Sequence, residues 1–426
     1  MKRLCSLCCV AIPLMASAAL AADWPQWRGP NRDALCPDKG LLTEWPKGGP
    51  KLYWKIQGLG RGYASVAIAR LRLYTMGDRR VQGRQEAQFA LCYDLKTRKQ
   101  VWATRVGNSH RGGGPRCTPT VDGSFVYTVG PHGNITCLSA ATGKIRWQRN
   151  FPKDFGGKMS TMWKFSESPL IDGDRVICTP GSQRAMLAAL DKKTGKTVWT
   201  CAVPDLGRRG RDGAAYASAV VSKACGVRQY VQLVGKRLIG VRARDGKLLW
   251  HYNRIANSTA NCPTPVVRGD YVFCTTSYGT GAVLLKLSKA GAGIEPKEVY
   301  FLGPRTFENI HGGVVLVGDY IYSAKGHKYN HEPICIEFLT GKVMWKAPRA
   351  LGRLSAATLY ADGHLYYRYE DGTMALVEAT PDGYHLKSVW KPESSAHGPT
   401  WPHPVIFAGR LFLRHDDELA CYDIRA

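Results

Sequence analysis

A hairpin recurs along this chain at nearly constant spacing. In its clearest copy, Leu187-Ala188-Ala189-Leu190 suits a buried strand. Asp191 to Lys196 is turn chemistry with Gly195 able to take positive φ, and Thr197-Val198-Trp199 begins the next strand. The unit returns as Thr142-Gly143-Lys144-Ile145-Arg146-Trp147, as Asp245-Gly246-Lys247-Leu248-Leu249-Trp250 and as Thr340-Gly341-Lys342-Val343-Met344-Trp345. Each time the Trp lies four residues after the Gly, and the run Lys96 to Trp102 keeps the spacing with Arg98 in place of Gly. A repeat of this kind cannot bury its apolar face alone, so copies must stack on one another.

The strand-ending aromatics are Trp54, Trp102, Trp147, Trp199, Trp250, Tyr300, Trp345 and Trp390, at intervals of 45–52 residues. That period holds four short strands and their turns, the content of one propeller blade. A second turn signal sits upstream in most intervals, as in Asp122-Gly123, Asp172-Gly173, Gly269-Asp270, Gly318-Asp319 and Asp362-Gly363. There is no room for three strands before Trp54, and the 27 residues from Thr400 hold only three strands. The strand at Lys51–Ile56 is therefore expected to complete the last blade and leave no open edge between the termini. The expectation is an all-β, eight-bladed β-propeller over residues 51–426, preceded by an arm at 23–50. Cys92, Cys137 and Cys335 each stand ten residues before their Trp, where other repeats carry Ala189 and Gly240. The position asks for a small buried side chain, so these cysteines read as free packing residues in separate blades.

The Gly-Lys-x-x-Trp hairpins, the repeat length and the opening Asp23-Trp24-Pro25-Gln26-Trp27-Arg28-Gly29-Pro30 resemble the bacterial PQQ-like β-propeller repeat family. The runs His311 to Tyr320 and Trp401-Pro402-His403-Pro404 resemble an exported branch of it. The wider family includes quinoprotein dehydrogenases and the non-catalytic propeller lipoprotein of the outer-membrane β-barrel assembly machinery. In the dehydrogenases, the resemblance implies a quinone held by a vicinal disulfide, a stacking Trp and a calcium site, with an Asp as base. Here the adjacent pair Cys8 and Cys9 falls in the leader, and no carboxylate cluster matches the calcium ligands or the base. No cofactor, metal or catalytic residue is therefore expected, and PQQ with calcium in a redox enzyme stands as the alternative.

Residues 1–22 read as a secretory signal peptide, with Lys2 and Arg3, an apolar run through Leu20 and small residues at Ala19 and Ala21. The product is expected to be periplasmic or extracellular, monomeric and without a transmembrane segment. The formal charge of +26 favours acidic partners. No nucleic-acid motif is present and export argues against nucleic acid, which leaves an anionic polysaccharide or an envelope protein.

Propeller topology sends the short hairpins to one face and the longer, more varied loops to the other, where binding is expected. The candidates around the channel mouth are Arg61, Arg116, Lys158, Trp163, Arg211, His311, His327, Trp401 and His403. The cations suit a basic funnel for an anionic ligand. Trp163 and Trp401 could stack on a sugar ring or a planar cofactor, although aromatics at such positions more often plug the ring core. The loop Gly326 to Glu332, with His327, His331 and Glu332, invites a metal reading, but no fixed ligand spacing supports it.

Overall fold

Every repeat folds as an antiparallel meander whose inner strand lines a central channel and whose outer strand carries the marker aromatic. The structure, a computed structural model, describes residues 22–426 except Arg84, Arg111, Leu206, Ala292, Lys325 and 327–330. The expected leader thus lies outside the described residues but for Ala22. Eight sheets form the ring, seven of four strands and one of five. Blade 3 is typical, with strands Leu170–Asp172, Arg175–Cys178, Leu187–Asp191 and Thr197–Cys201. Blades 1, 2 and 4 to 7 span residues 67–108, 120–150, 220–252, 266–302, 314–346 and 356–390. Blade 8 combines the last three strands, within 405–423, with Lys51–Ile56. The closing register pairs Lys51 with Asp423, Trp54 with Cys421 and Ile56 with Leu419, antiparallel as the strand count requires. Helix is confined, among the described residues, to one turn at Phe151–Phe155 and a 3-10 turn at Ala224–Gly226.

The marker spacing has a structural cause. Trp199 pairs with Ala189 while Thr197 pairs with Leu190, so a bulge precedes the Trp; the same shift precedes Trp102, Trp147, Trp250 and Trp345. Opposite the ring sits a small residue: Cys92, Cys137, Ala189, Gly240, Cys335 or Cys421. The eleven cysteines among the described residues are all unpaired, and only Cys225 and Cys262 escape full burial. The indole then reaches into the next blade. Trp102, Trp147, Trp199 and Trp345 donate their ring N–H to the carbonyls of Ala140, Lys192, Ala243 and Thr380. The hairpin Gly of the next blade lies flat on the ring. A Cβ at Gly195, whose φ is +72°, would meet Trp147 at 2.7 Å.

Residues 23–36 do not hang outside the ring. They thread the channel and touch the inner strand, or the lead into it, of every blade. Trp24 exchanges both backbone hydrogen bonds with Ile68 of blade 1, at 2.9 and 2.7 Å, and Pro25 O accepts from Val121 N of blade 2 at 2.8 Å. Arg32 donates to the carbonyls of Ser168 in blade 3 and Ala219 in blade 4. Trp27 donates to Thr264 Oγ1 before blade 5 at 3.1 Å, and Arg28 to Val314 O in blade 6. Leu35–Cys36 adds a parallel strand to blade 7, and Cys36 Sγ lies 3.5 Å from Ile406 O in blade 8.

Replacing Gly195 by Ala tests the docking of ring on turn against Gly173→Ala. Gly173 also has positive φ, at +59°, but nothing lies within 4 Å of its Cβ position. We expect roughly 1 kcal/mol of destabilisation for Gly173→Ala, from backbone strain alone. Gly195→Ala should lose about 2–4 kcal/mol, because Trp147 must also move. Equal losses in chemical denaturation would show that the interblade contact is weak.

Candidate functional site

The arm seals the channel from the hairpin side and leaves a blind cavity of about 240 Å³ open at the loop-rich face. Trp27, from the tip of the arm, is part of its floor. Tyr63, Trp163, Tyr216, Tyr278 and Trp401 wall it, with Arg116, His311, His403, Ser168, Ser218 and Cys262 among them. The tip is tightly wound: Arg28, Arg32 and Ala34 all have φ near +60°. Such left-handed backbone in non-glycine residues is strained and persists only where surrounding bonds hold it.

Two buried cations anchor this tip. Arg28 and Arg32 are only 3% and 4% exposed. Burial lowers both guanidinium pKa values to about 10, with Asp33 and Glu167 partly offsetting it, so both stay charged at neutral pH. They are held mainly by carbonyl oxygens, which accept from a guanidinium without cancelling its charge. Arg28 Nη1 and Arg32 Nε have no hydrogen-bond partner among the described residues. Glu167 sits beside Arg32, accepting from Thr179 N and Thr179 Oγ1, and its burial raises the carboxyl to about 7.

At the wall, Arg116 makes no ion pair among the described residues. It donates to the carbonyls of Trp163 and Gly112 and lies 5.4 and 5.9 Å from the ring centroids of Tyr63 and Trp401. Desolvation by burial and the positive charges nearby keep both cavity histidines neutral. His311 falls to about 4, with Arg116 adding to burial, and His403 to about 3, with Arg28 adding to burial. His403 Nε2 lies 3.0 Å from His311 O, which fixes that nitrogen as the donor. The His403 ring packs on Trp27 at a centroid distance of 4.4 Å. Behind the wall, His311 Nε2 faces Glu370 at 3.3 Å, and burial raises that carboxyl.

Of the residues singled out by sequence, Arg116, Trp163, His311, Trp401 and His403 meet in the cavity. Arg61 does not; it bridges to Glu86 and lies 3.9 Å from Asp78, whose carboxyl is pushed up to about 6 by burial. Lys158 and Arg211 are exposed on the outer rim, and Lys158 pairs with Asp212 at 3.6 Å. His327 lies outside the described residues. Exposed Arg208, Arg209 and Arg211 make no ion pair among the described residues. Asp416 and Asp417 of blade 8 accept from the backbone N–H groups of Gly58, Gly60 and Gly62, in the link from Lys51–Ile56 to blade 1. Sequence reasoning missed Trp27, Tyr63, Tyr216 and Tyr278, because each reaches the cavity from a different segment.

No carboxylate lines the cavity among the described residues, and no group of three His, Cys, Asp or Glu side chains is placed to hold a metal there or elsewhere among them. Cys262 is a neutral thiol, pushed up to about 12 by burial.

The sequence model of the family described as outer membrane protein assembly factor BamB matches residues 88–347. The BamB assembly factor of Alteromonas naphthalenivorans is 25% identical over 111 residues, covering 24% of this chain and 26% of that protein. The chain therefore matches about a quarter of the length of that curated relative. Among solved structures, BamB from Moraxella catarrhalis superposes with a TM-score of 0.62 at 14% identity, covering 88% of this chain and 99% of that one. A europium-containing methanol dehydrogenase gives 0.64 at 13% identity, covering 92% and 89%. At these identities the likeness is one of fold.

The His403 assignment has a pH consequence. An unfolded His titrates near 6.5, whereas folded His403 binds its proton only near 3. Its contribution is present above about pH 6.5 and is lost as pH falls toward 3. Glu167 and Asp78 act in the opposite sense, losing their contribution as pH rises through about 7 and 6. The His403→Gln variant, which keeps a donor, isolates the first effect. The stability gap between parent and variant should narrow as pH falls from 7 to 4, and parallel thermal-unfolding curves would contradict the assignment.

Proposed function

This chain belongs to the PQQ-like β-propeller family represented by the BamB assembly factors, and from that premise we propose that it is an exported, non-catalytic binding scaffold of the cell envelope. Its working surface is the loop-rich face, and its partner presents negative charge there. One observation carries this reading: the channel ends blind on the arm, in a cavity lined by aromatic rings and an unpaired Arg116, with no carboxylate among its described lining. Its two histidines are held neutral with pKa values near 4 and 3, which makes them weak bases, and its cysteine is a neutral thiol. A rigid, apolar and positively biased recess suits recognition.

No helix among the described residues is long and apolar enough to cross a membrane, so any envelope location rests on export and on partners. Cations of the exposed rim at Arg208, Arg209 and Arg211 extend the positive field outward from the cavity.

The test compares two triple substitutions with the same change in charge. Arg208, Arg209 and Arg211 are changed to Ala on the rim; Lys144, Lys196 and Lys342 are changed to Ala on the hairpins of the opposite face. Exposed charges farther apart than about 8 Å at physiological salt act nearly independently. A diffuse field would therefore lose affinity for polygalacturonate equally in both variants. We expect at least a tenfold loss for the rim triple and less than twofold for the hairpin triple. Equal losses in titration calorimetry, or no binding by the parent protein, would reject this function.

A further inference from the structure

We propose that the channel-mouth cavity is a subsite for one carboxylated pyranose ring, the terminal uronic acid unit of an acidic glycan. This rests on the binding-scaffold reading and names the chemistry of that site.

Size comes first. Clefts that bury drug-sized ligands run to roughly 300–1,000 Å³, so the 240 Å³ here holds one ring with its substituents. The occupant is a chain end, because the floor of Trp27 and the arm gives a polymer no exit.

Charge comes second. Arg116 has no carboxylate partner among the described residues, and the two groups that accept from it are backbone carbonyls, which leave its charge in place. Beneath the floor, Arg28 lines a void of about 10 Å³ that shares Trp27 and His403 with the cavity. Arg28 Nη1 is a buried donor without a partner among the described residues. Arg116 in the wall and Arg28 beneath the floor, with no acid in the described lining, make an anion the complementary occupant.

The hydroxyl groups separate a sugar acid from a flat aromatic acid. Ser168 Oγ accepts from Thr118 N, and Ser218 Oγ accepts from Ser168 N, both at 3.0 Å. The Ser218 hydroxyl thereby keeps its own proton for a ligand, while that of Ser168 also faces Cys117. His311, held neutral, and Ser166 add further hydrogen-bonding atoms to the lining. A benzoate-like ring would strip water from these groups without replacing its bonds, a penalty that sites built for hydroxyls impose on analogues lacking them. A pyranose satisfies them at its edge while its C–H face lies on an aromatic wall. Arg116 already covers Tyr63 and Trp401, so Trp163 with Tyr216, edge to face at 6.0 Å, provides that wall.

Calorimetry on the purified protein decides the matter with four probes: tetragalacturonate, galacturonate, galactose and benzoate. We expect both uronates to bind, with galactose and benzoate each at least tenfold weaker than galacturonate. Arg116→Gln should weaken galacturonate at least tenfold and leave galactose unchanged, and Trp163→Leu should weaken both sugars. Benzoate binding as well as galacturonate, or galactose as well as galacturonate, would overturn the proposal, and those comparisons need no variant to fold. If tetragalacturonate binds but galacturonate does not, and Arg116→Gln has no effect, this subsite fails while the rim still functions. If tetragalacturonate does not bind at all, the scaffold reading falls with it.

Discussion

The structure depends on a ring of indole docked against a glycine that belongs to the next blade. At Trp147 and Gly195 the contact is so close that a single methyl group could not enter. The indole N–H also satisfies a carbonyl at the start of the next blade's hairpin, Lys192 O. One side chain thus supplies apolar burial, shape and a hydrogen bond across the interface. Where the pattern fails, the chain compensates. Blade 5 lacks the Gly-Lys hairpin, so Trp250 turns inward to Gln229 Oε1. The two long outer strands of blade 5, Gly281–Ala290 and Gly293–Leu302, extend instead, and the second packs along the outer strand of blade 4.

This explains which parts of the molecule could be read from sequence. The blade was legible because its markers are local: Gly, Lys and Trp at fixed spacing, with a small residue ten positions before the ring. Closure was legible as well, since Thr400 to the end holds three strands and Lys51–Ile56 supplies the fourth. The cavity was legible only in part. Arg116, Trp163, His311, Trp401 and His403 were found because topology places their loops on one face. Arg61 and Lys158 looked alike in sequence, yet Glu86 and Asp212 neutralise them from other segments.

The arm was the larger omission. Trp27 meets Thr264, Arg28 meets Val314 and Arg32 meets Ala219, pairings between residues far apart along the chain that no local pattern encodes. A signal was nevertheless present. Trp24, Trp27, Arg28 and Arg32 are large residues with much to bury, packed into nine positions that would otherwise form an exposed tail. Polar tails seldom carry two tryptophans without a place to put them.

Burying two arginines in a channel would be costly if their charge were meant only to stabilise the fold. Apolar residues of similar volume would often serve as well. Carbonyl oxygens from blades 3, 4 and 6 lower that cost by satisfying most of the donors, but leave the net charge. The field that remains acts on the cavity above, helping to hold His403 in its neutral, donating form. Because the arm touches every blade, its tip finds all its partners only when the ring is complete. The floor of the site is therefore coupled to global stability, and it cannot open by the movement of one loop or one blade. A recess built in this way is preorganised: its orientation and desolvation are set during folding, so less is lost when a ligand enters.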